Sequence, residues 1–287
     1  MHDRFAGLDW ITPYGVMLTL ACVVAWWLSR RRAAAAGLDP SHIDLALPLA
    51  FIGGALCARL LVVVMPHELL IAGPGLAAES RLRLYAVAFA GLPILLLYCL
   101  LAGLQFRRMA DVVALPALAW LAVLRVGCFL AGCCFGDVHG HADRIALVAD
   151  PRIRHQIQTV PLLNDVSIPW TLQFPAGSFA YRQHEALGLL EPDAAASLPV
   201  HPVQLYEIVV LGLLAWLLLR LRPRLTLPGS QALAAFGGYA GAAFMLEFLR
   251  ADNALELGLL TGNQLICIGW LAVAALLLVM LERRARR

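Results

Sequence analysis

Five charged side chains lie within or at the ends of long apolar runs: Arg59, Arg125, Glu207, Glu247 and Arg250. A charge in hydrocarbon is costly, so such residues face a protein interior or a wet cavity and mark either a site or a structural ion pair. The structural alternative is pairing, for example of Arg59 with Glu207. Arg125 and Arg250 stand beside turn-rich segments near one face. Arginines converging there suit an anionic ligand with a planar, multi-oxygen head. Guanidinium matches phosphate, and a lipid phosphate is the one always present at that depth.

Three short stretches concentrate the chemistry. His201-Pro202-Val203-Gln204-Leu205-Tyr206-Glu207 opens an apolar run. Pro202 fits a first helical turn, while Gln204, Tyr206 and Glu207 supply more polar groups than a helix start requires. Arg125-Val126-Gly127-Cys128-Phe129-Leu130-Ala131-Gly132-Cys133-Cys134-Phe135-Gly136 ends another run, and its glycines permit close backbone approach or unusual turns. Leu246-Glu247-Phe248-Leu249-Arg250-Ala251-Asp252 is the third.

Of seven cysteines, Cys22, Cys57, Cys99 and Cys267 sit singly in apolar runs, where cysteine behaves as a small hydrophobe. Cys128, Cys133 and Cys134 are clustered. Four readings stand: thiols that only pack, a disulfide from Cys128 to one of the other two on an oxidising side, a metal site completed by His139 or His141, or a catalytic thiol. His139, His141, His155 and His184 are expected to be solvent-exposed.

These residues need elements to hold them. The chain has 287 residues, 61% hydrophobic and 14% charged, against about 25% charged in soluble domains. With a mean hydropathy of +0.77, this excludes a soluble globular enzyme and a disordered chain, and leaves an all-α polytopic membrane protein. The net charge of +3 is too small to point to nucleic acid. Apolar runs at 12–29, 43–65, 84–104, 112–131, 203–220, 231–249 and 263–281 predict seven transmembrane helices, with Pro48, Pro93 and Pro116 inside them. Twelve arginines follow the first, third, fifth and seventh runs, and seven lie on the other side. The positive-inside rule then puts the N-terminus outside and the C-terminus in the cytoplasm. Residues 1–36 read as an uncleaved helix, because Arg30 to Arg32 follow the apolar core, whereas the positive charge of a signal peptide precedes it. The division is helices 1–4 over 1–134, an outer, periplasmic loop or small folded cap over 135–200, and helices 5–7 over 201–287. Strand-like pieces are expected at 145–148 and 170–174.

Together the three stretches resemble the prolipoprotein diacylglyceryl transferase family. Its His-Pro-x-Gln-Leu-Tyr-Glu pattern is matched at all six fixed positions from His201 to Glu207. Its Arg-x-Gly-x-Phe-x-x-Gly-x-x-x-Gly signature is matched at Arg125, Gly127, Phe129, Gly132 and Gly136, and its Glu-Phe-x-Arg element at Glu247, Phe248 and Arg250. Tyr14-Gly15, Arg59 and Phe174-Pro175-Ala176-Gly177-Ser178 are similar to further family elements. The resemblance implies transfer of the diacylglyceryl group of phosphatidylglycerol to the lipobox cysteine thiol in prolipoprotein signal peptides, at the bacterial inner membrane among membrane lipids. It requires no metal or soluble cofactor. Arg125 and Arg250 would hold the phosphate; Tyr14, Arg59, Gly136, Gln204, Tyr206, Glu207 and Glu247 would shape the substrate site.

The sequence departs from the family where protons are handled. The family's helix 3 His-Gly-Gly, whose histidine is thought to serve the thiol, is replaced by Ala88-Phe89-Ala90-Gly91-Leu92-Pro93. A usual helix 6 arginine is Ala243, and Cys128 and Cys133 replace an asparagine and an acid. His201 and the three thiols are the remaining candidates for proton transfer. Two alternatives follow: the same lipid donor with a different thiol or alcohol acceptor, or a non-catalytic lipid-binding membrane protein.

Overall fold

A computed structural model describes residues 12–64, 90–136, 138, 170–186, 188–250, 255–257 and 260–286. Its helices are α1 (Pro13–Ala35), α2 (Ser41–Val64), α3 (Ala90–Leu101), α4 (Phe106–Ala131), α5 (Phe179–Ala186), α6 (Val203–Leu221), α7 (Ser230–Glu247) and α8 (Gly262–Ala285). A short antiparallel pair, β1 (Leu255–Leu257) and β2 (Leu260–Thr261), precedes α8. Among the described residues, α4, α6 and α8 are long and apolar enough to cross a membrane, and α2 and α3 hold shorter apolar runs. Large apolar side chains such as Leu101, Val209, Leu213, Trp216 and Leu276 point outward, as a lipid-facing surface requires.

Local signals set the helix ends. Thr12 caps α1 by accepting from the Gly15 N–H at 3.0 Å, with Pro13 in the first turn. Thr261 and Gln264 close a reciprocal capping box at the start of α8, at 3.2 and 3.0 Å. The helix α4 begins six residues before its apolar run, because Asp111 and Arg107 belong to its first turns. Asp111 accepts from the Gly229 and Ala232 N–H groups at 2.6 and 2.8 Å and so caps α7 from a neighbouring helix. Arg32 of α1 donates to the Asp111 and Val112 carbonyls, each at 3.0 Å, and to Gln231 Oε1 at 3.1 Å. Three helices are thereby tied together at one end.

The centre of the bundle is α4, packed against α1, α6 and α7. Ala114, Leu118, Leu211, Leu218 and Ala235 form its core with α6 and α7. A second core joins the end of α1 to α2, α3 and α4 through Ala33, Ile43, Ala46, Leu95, Cys99, Met109 and Val112.

At the opposite end of α4, residues 170–186 and 188–200 fold over the helix. Phe135, Val138, Phe174, Ala180 and Val200 form a small core there. The Ala180 N–H donates to the Gly132 carbonyl at 3.1 Å. Two expectations change in this segment, and a helix appears that the sequence did not announce. Residues 170–174 form an isolated bridge, Leu172 with Val200, because pairing stops after one residue on each side. The segment has its own helix, α5, whose Tyr181 N–H is capped by Ser178 Oγ at 3.2 Å. His184, expected at the surface, is 2% exposed: its Nδ1 accepts from the Leu198 N–H at 3.2 Å and its ring meets Phe135 edge-on. The strand expected at 145–148 and His139, His141 and His155 lie outside the described residues.

Candidate functional site

The signature over 125–136 is the end of a helix and the turn that follows it. Gly132 takes φ +68°, its N–H donates to the Phe129 carbonyl at 3.1 Å, and the Cys133 N–H donates to the Cys128 carbonyl at 3.0 Å. This is a Schellman motif, which needs a residue free to enter the left-handed region. It folds Cys133 back over Cys128. Cys134 follows with φ +58°, an uncommon conformation for a residue with a side chain. As a result the Sγ atoms of Cys128, Cys133 and Cys134 lie within 4.8 Å of one another. All three are free thiols, so the disulfide reading is not what this structure holds.

Arg125, on the last turns of α4, is 9% exposed. Its Nε lies 2.8 Å from Glu207 Oε2 on α6, and its Nη1 lies 3.9 Å from Cys128 Sγ. Glu207 Oε1 also accepts from the Tyr239 hydroxyl of α7 at 3.2 Å. Glu207, offered as an example partner for Arg59, pairs instead with Arg125. Arg59 sits exposed on α2 and does not join this group.

The remaining sequence candidates arrive from three directions. Gly136 and Arg250 form a backbone bridge, and the Gly136 N–H donates to the His201 carbonyl at 2.8 Å. A Cβ on Gly136 would lie 2.7 Å from His201 Cβ, from the Leu249 carbonyl oxygen and from Val203 Cγ2. This glycine lets the ends of α4 and α7 and the start of α6 touch. Arg250 Nε is 3.9 Å from Glu247 Oε2. Glu247 in turn accepts from Thr261 Oγ1 and Asn263 Nδ2, both at 3.1 Å.

Gln204 is buried, and its Nε2 donates to the Cys133 carbonyl at 2.6 Å, which pins the turn carrying the thiols. His201 is buried beside it. Tyr14 of α1 faces Gly127: a Cβ there would lie 3.4 Å from the Tyr14 ring and 2.9 Å from Met17 Cβ. Tyr206 is half-buried and donates to the Trp170 carbonyl at 3.1 Å, outside this cluster.

The structure thus gathers Tyr14, Arg125, Cys128, Cys133, Cys134, Gly136, His201, Gln204, Glu207, Glu247 and Arg250 at one end of the bundle. It leaves Arg59 out and places Tyr206 at the edge. Three supporting residues escape the sequence reading. Tyr239 holds Glu207, while Thr261 and Asn263 hold Glu247. Only Thr261 carried a signal, the Thr-x-x-Gln spacing of a capping box.

A family model described as prolipoprotein diacylglyceryl transferase matches residues 7–280. A protein of Clostridium tetani is 23% identical over 260 residues, covering 90% of this chain and 88% of its own. One of Proteus mirabilis is 26% identical, covering 94% and 88%, and one of Geobacter sulfurreducens is 25% identical, covering 94% and 91%. Each is named phosphatidylglycerol–prolipoprotein diacylglyceryl transferase. With the family match spanning all the elements that carry this site, the chain belongs to the prolipoprotein diacylglyceryl transferase family.

Proposed function

We propose that this chain is a membrane transferase that moves the diacylglyceryl group of phosphatidylglycerol onto the lipobox cysteine thiol of prolipoprotein signal peptides. It works in the bacterial inner membrane, with seven spans, the N-terminus and the 135–200 cap on the periplasmic side, and the C-terminus in the cytoplasm. One observation carries the reading: a buried arginine, Arg125, fixed through its Nε by Glu207 at 2.8 Å.

An arginine held in this way is oriented before substrate arrives. With Nε on Glu207 and Nη1 3.9 Å from Cys128 Sγ, Nη2 is the donor offered to a phosphate, and a buried donor acts more strongly on developing charge than one in water. Arg250, joined to the same end through Gly136, adds the second guanidinium. The acceptor thiol gives up its proton to water, and its sulfur forms a bond to the glyceryl carbon as that carbon's bond to the phosphate oxygen breaks. The electron pair leaves on glycerol phosphate, against the two arginines. Tyr14, Gln204, His201 and Glu247 shape and support the pocket, and Arg59 and Tyr206 contact lipid at its margin.

The test is to mix the purified protein with phosphatidylglycerol and a lipobox peptide and weigh the peptide by mass spectrometry. A gain of one diacylglyceryl group, lost in Arg125→Ala, is the expected result. Lipid binding and transfer both unchanged in Arg125→Ala would sink the proposal. A second reading, transfer from the same lipid to another thiol or an alcohol, draws on the absence of histidine from 88–93. It predicts an unmodified peptide but release of glycerol phosphate with a small acceptor.

A further inference from the structure

The transfer proposed above needs the acceptor thiol as a thiolate, since the thiol itself is a poor nucleophile. The stretch 88–93 offers no histidine, and among the described residues His201 is the one imidazole at the site. What the chain has instead is three thiols turned toward one another.

Their placement is not what apolar packing produces. Cys22, Cys57, Cys99 and Cys267 are scattered singly over the bundle. Cys128, Cys133 and Cys134 converge within 4.8 Å because of two left-handed residues in a row of three, Gly132 and Cys134. A side-chain-bearing residue in that region is strained, and the surroundings must offset that strain. The Gln204 amide, donating to the Cys133 carbonyl at 2.6 Å, holds the turn in this shape.

We propose that Cys128, Cys133 and Cys134 form a three-thiolate site for one Zn²⁺, and that its fourth position takes the acceptor thiol. This rests on the reading of the chain as a diacylglyceryl transferase. Zinc–sulfur bonds of about 2.3 Å put tetrahedral sulfurs roughly 3.8 Å apart. The thiols need to close by no more than about 1 Å, within what side-chain rotation supplies. An all-sulfur set selects a soft metal, and three protein ligands leave the open position characteristic of catalytic zinc. Three thiolates around Zn²⁺ carry a net charge of −1, and Arg125 Nη1 already lies 3.9 Å from Cys128 Sγ to face it.

The chemistry balances without an oxidant or reductant. The acceptor thiol coordinates zinc and releases its proton to water, because a coordinated thiol is deprotonated. The bound thiolate attacks the glyceryl carbon, the carbon–sulfur bond forms, and glycerol phosphate leaves with the electron pair. The product thioether is neutral and a weaker ligand, so it gives way to the next thiol. The device supplies at the metal what the missing histidine would have supplied by proton transfer.

The experiment uses the full chain, purified under reducing conditions in lipid nanodiscs from zinc-replete cells. Elemental analysis is expected to find about one zinc per chain, lost in Cys128→Ser/Cys133→Ser and retained in Cys57→Ser. In the unmutated chain, chelation followed by Co²⁺ is expected to give thiolate-to-cobalt charge-transfer absorption that shifts with a lipobox cysteine peptide and not with its serine counterpart. No zinc, zinc retained in the double variant, copper in its place, or a cobalt spectrum blind to the cysteine peptide would each overturn the proposal. The peptide lipidation assay runs alongside. Full transfer by zinc-free chain overturns the zinc site and leaves the transferase reading standing. Zinc bound and cobalt responsive, with no lipid on the peptide, supports the site and fails the transferase reading.

Discussion

Arg125 and Glu207 meet at 2.8 Å between α4 and α6, each nearly removed from solvent. A buried pair of this kind is weak evidence for stability, since desolvation offsets most of the attraction. Its worth is orientation: it fixes one guanidinium at the place where we propose that the lipid phosphate is held. Glu207→Gln keeps the shape and removes the counter-charge. We expect it to destabilise the chain by about 3–5 kcal/mol, the usual cost of orphaning a buried charge. Arg125→Gln/Glu207→Gln, which orphans nothing, should recover part of that stability while transfer stays lost. Thermal unfolding in nanodiscs and the peptide assay read both. Equal unfolding temperatures for Glu207→Gln and the parent would show that the pair is not electrostatically isolated.

Gly136 makes a sharper steric prediction. In Gly136→Ala the new methyl would sit 2.7 Å from two side-chain carbons and, more rigidly, from the Leu249 carbonyl oxygen. The ends of α4 and α7 must separate, which moves Arg250. If Arg250 holds the phosphate as proposed, we expect transfer to fall by at least about 100-fold, the size of effect that an ångström-scale misplacement can have. Gly212→Ala, where nothing lies within 4 Å, is the control and should be neutral. Equal activity in both variants would refute the close approach.

How much of this was legible in the sequence follows from which interactions are local. The apolar runs placed the long helices, and the family motifs brought out Arg125, Gly136, Gln204, Glu207, Glu247 and Arg250, all of which the structure gathers. The example pairing of Arg59 with Glu207 is not met, because a charge in an apolar run announces its cost and not its partner. Arg125, across the α4–α6 contact, took the Glu207 carboxylate instead. His184 looked exposed because the segment around it is polar, yet Phe135, from the end of another helix, covers it. Tyr239 was invisible for the same reason: its role exists only once α7 lies beside α6. The convergence of the three thiols depends on two left-handed residues, and only the glycine among them could be suspected from its type.

Asp111 tests a contact with no local signature. Its carboxylate caps α7 through Gly229 and Ala232, far along the chain and at the end of the bundle opposite the thiols. Asp111→Ala removes two charge-assisted bonds to orphan N–H groups. A helix cap is worth about 1–2 kcal/mol, so the unfolding temperature should fall by a few degrees. Transfer by the folded fraction should be unchanged. A loss of transfer without a loss of stability would mean that this end communicates with the site.

His184 gives the pH dependence. Burial pushes its imidazole down from 6.5 to about 4. Its Nδ1 accepts from the Leu198 N–H, so the folded segment holds the neutral ring. The unfolded chain binds a proton below about 6.5, while the folded one resists until about 4. Between those values the unfolded state carries more protons, so stability falls as pH falls. At about 1.4 kcal/mol per pKa unit, the loss across this window is on the order of a few kcal/mol. Hydrogen exchange or limited proteolysis of residues 170–200 should therefore report opening as pH drops from 7 to 4.5, before the bundle itself responds. His184→Gln keeps an acceptor for Leu198 and carries no titrating group. It should flatten that dependence while leaving protection at pH 7 close to the parent's. An unchanged pH profile in His184→Gln would assign the opening to other groups in the segment.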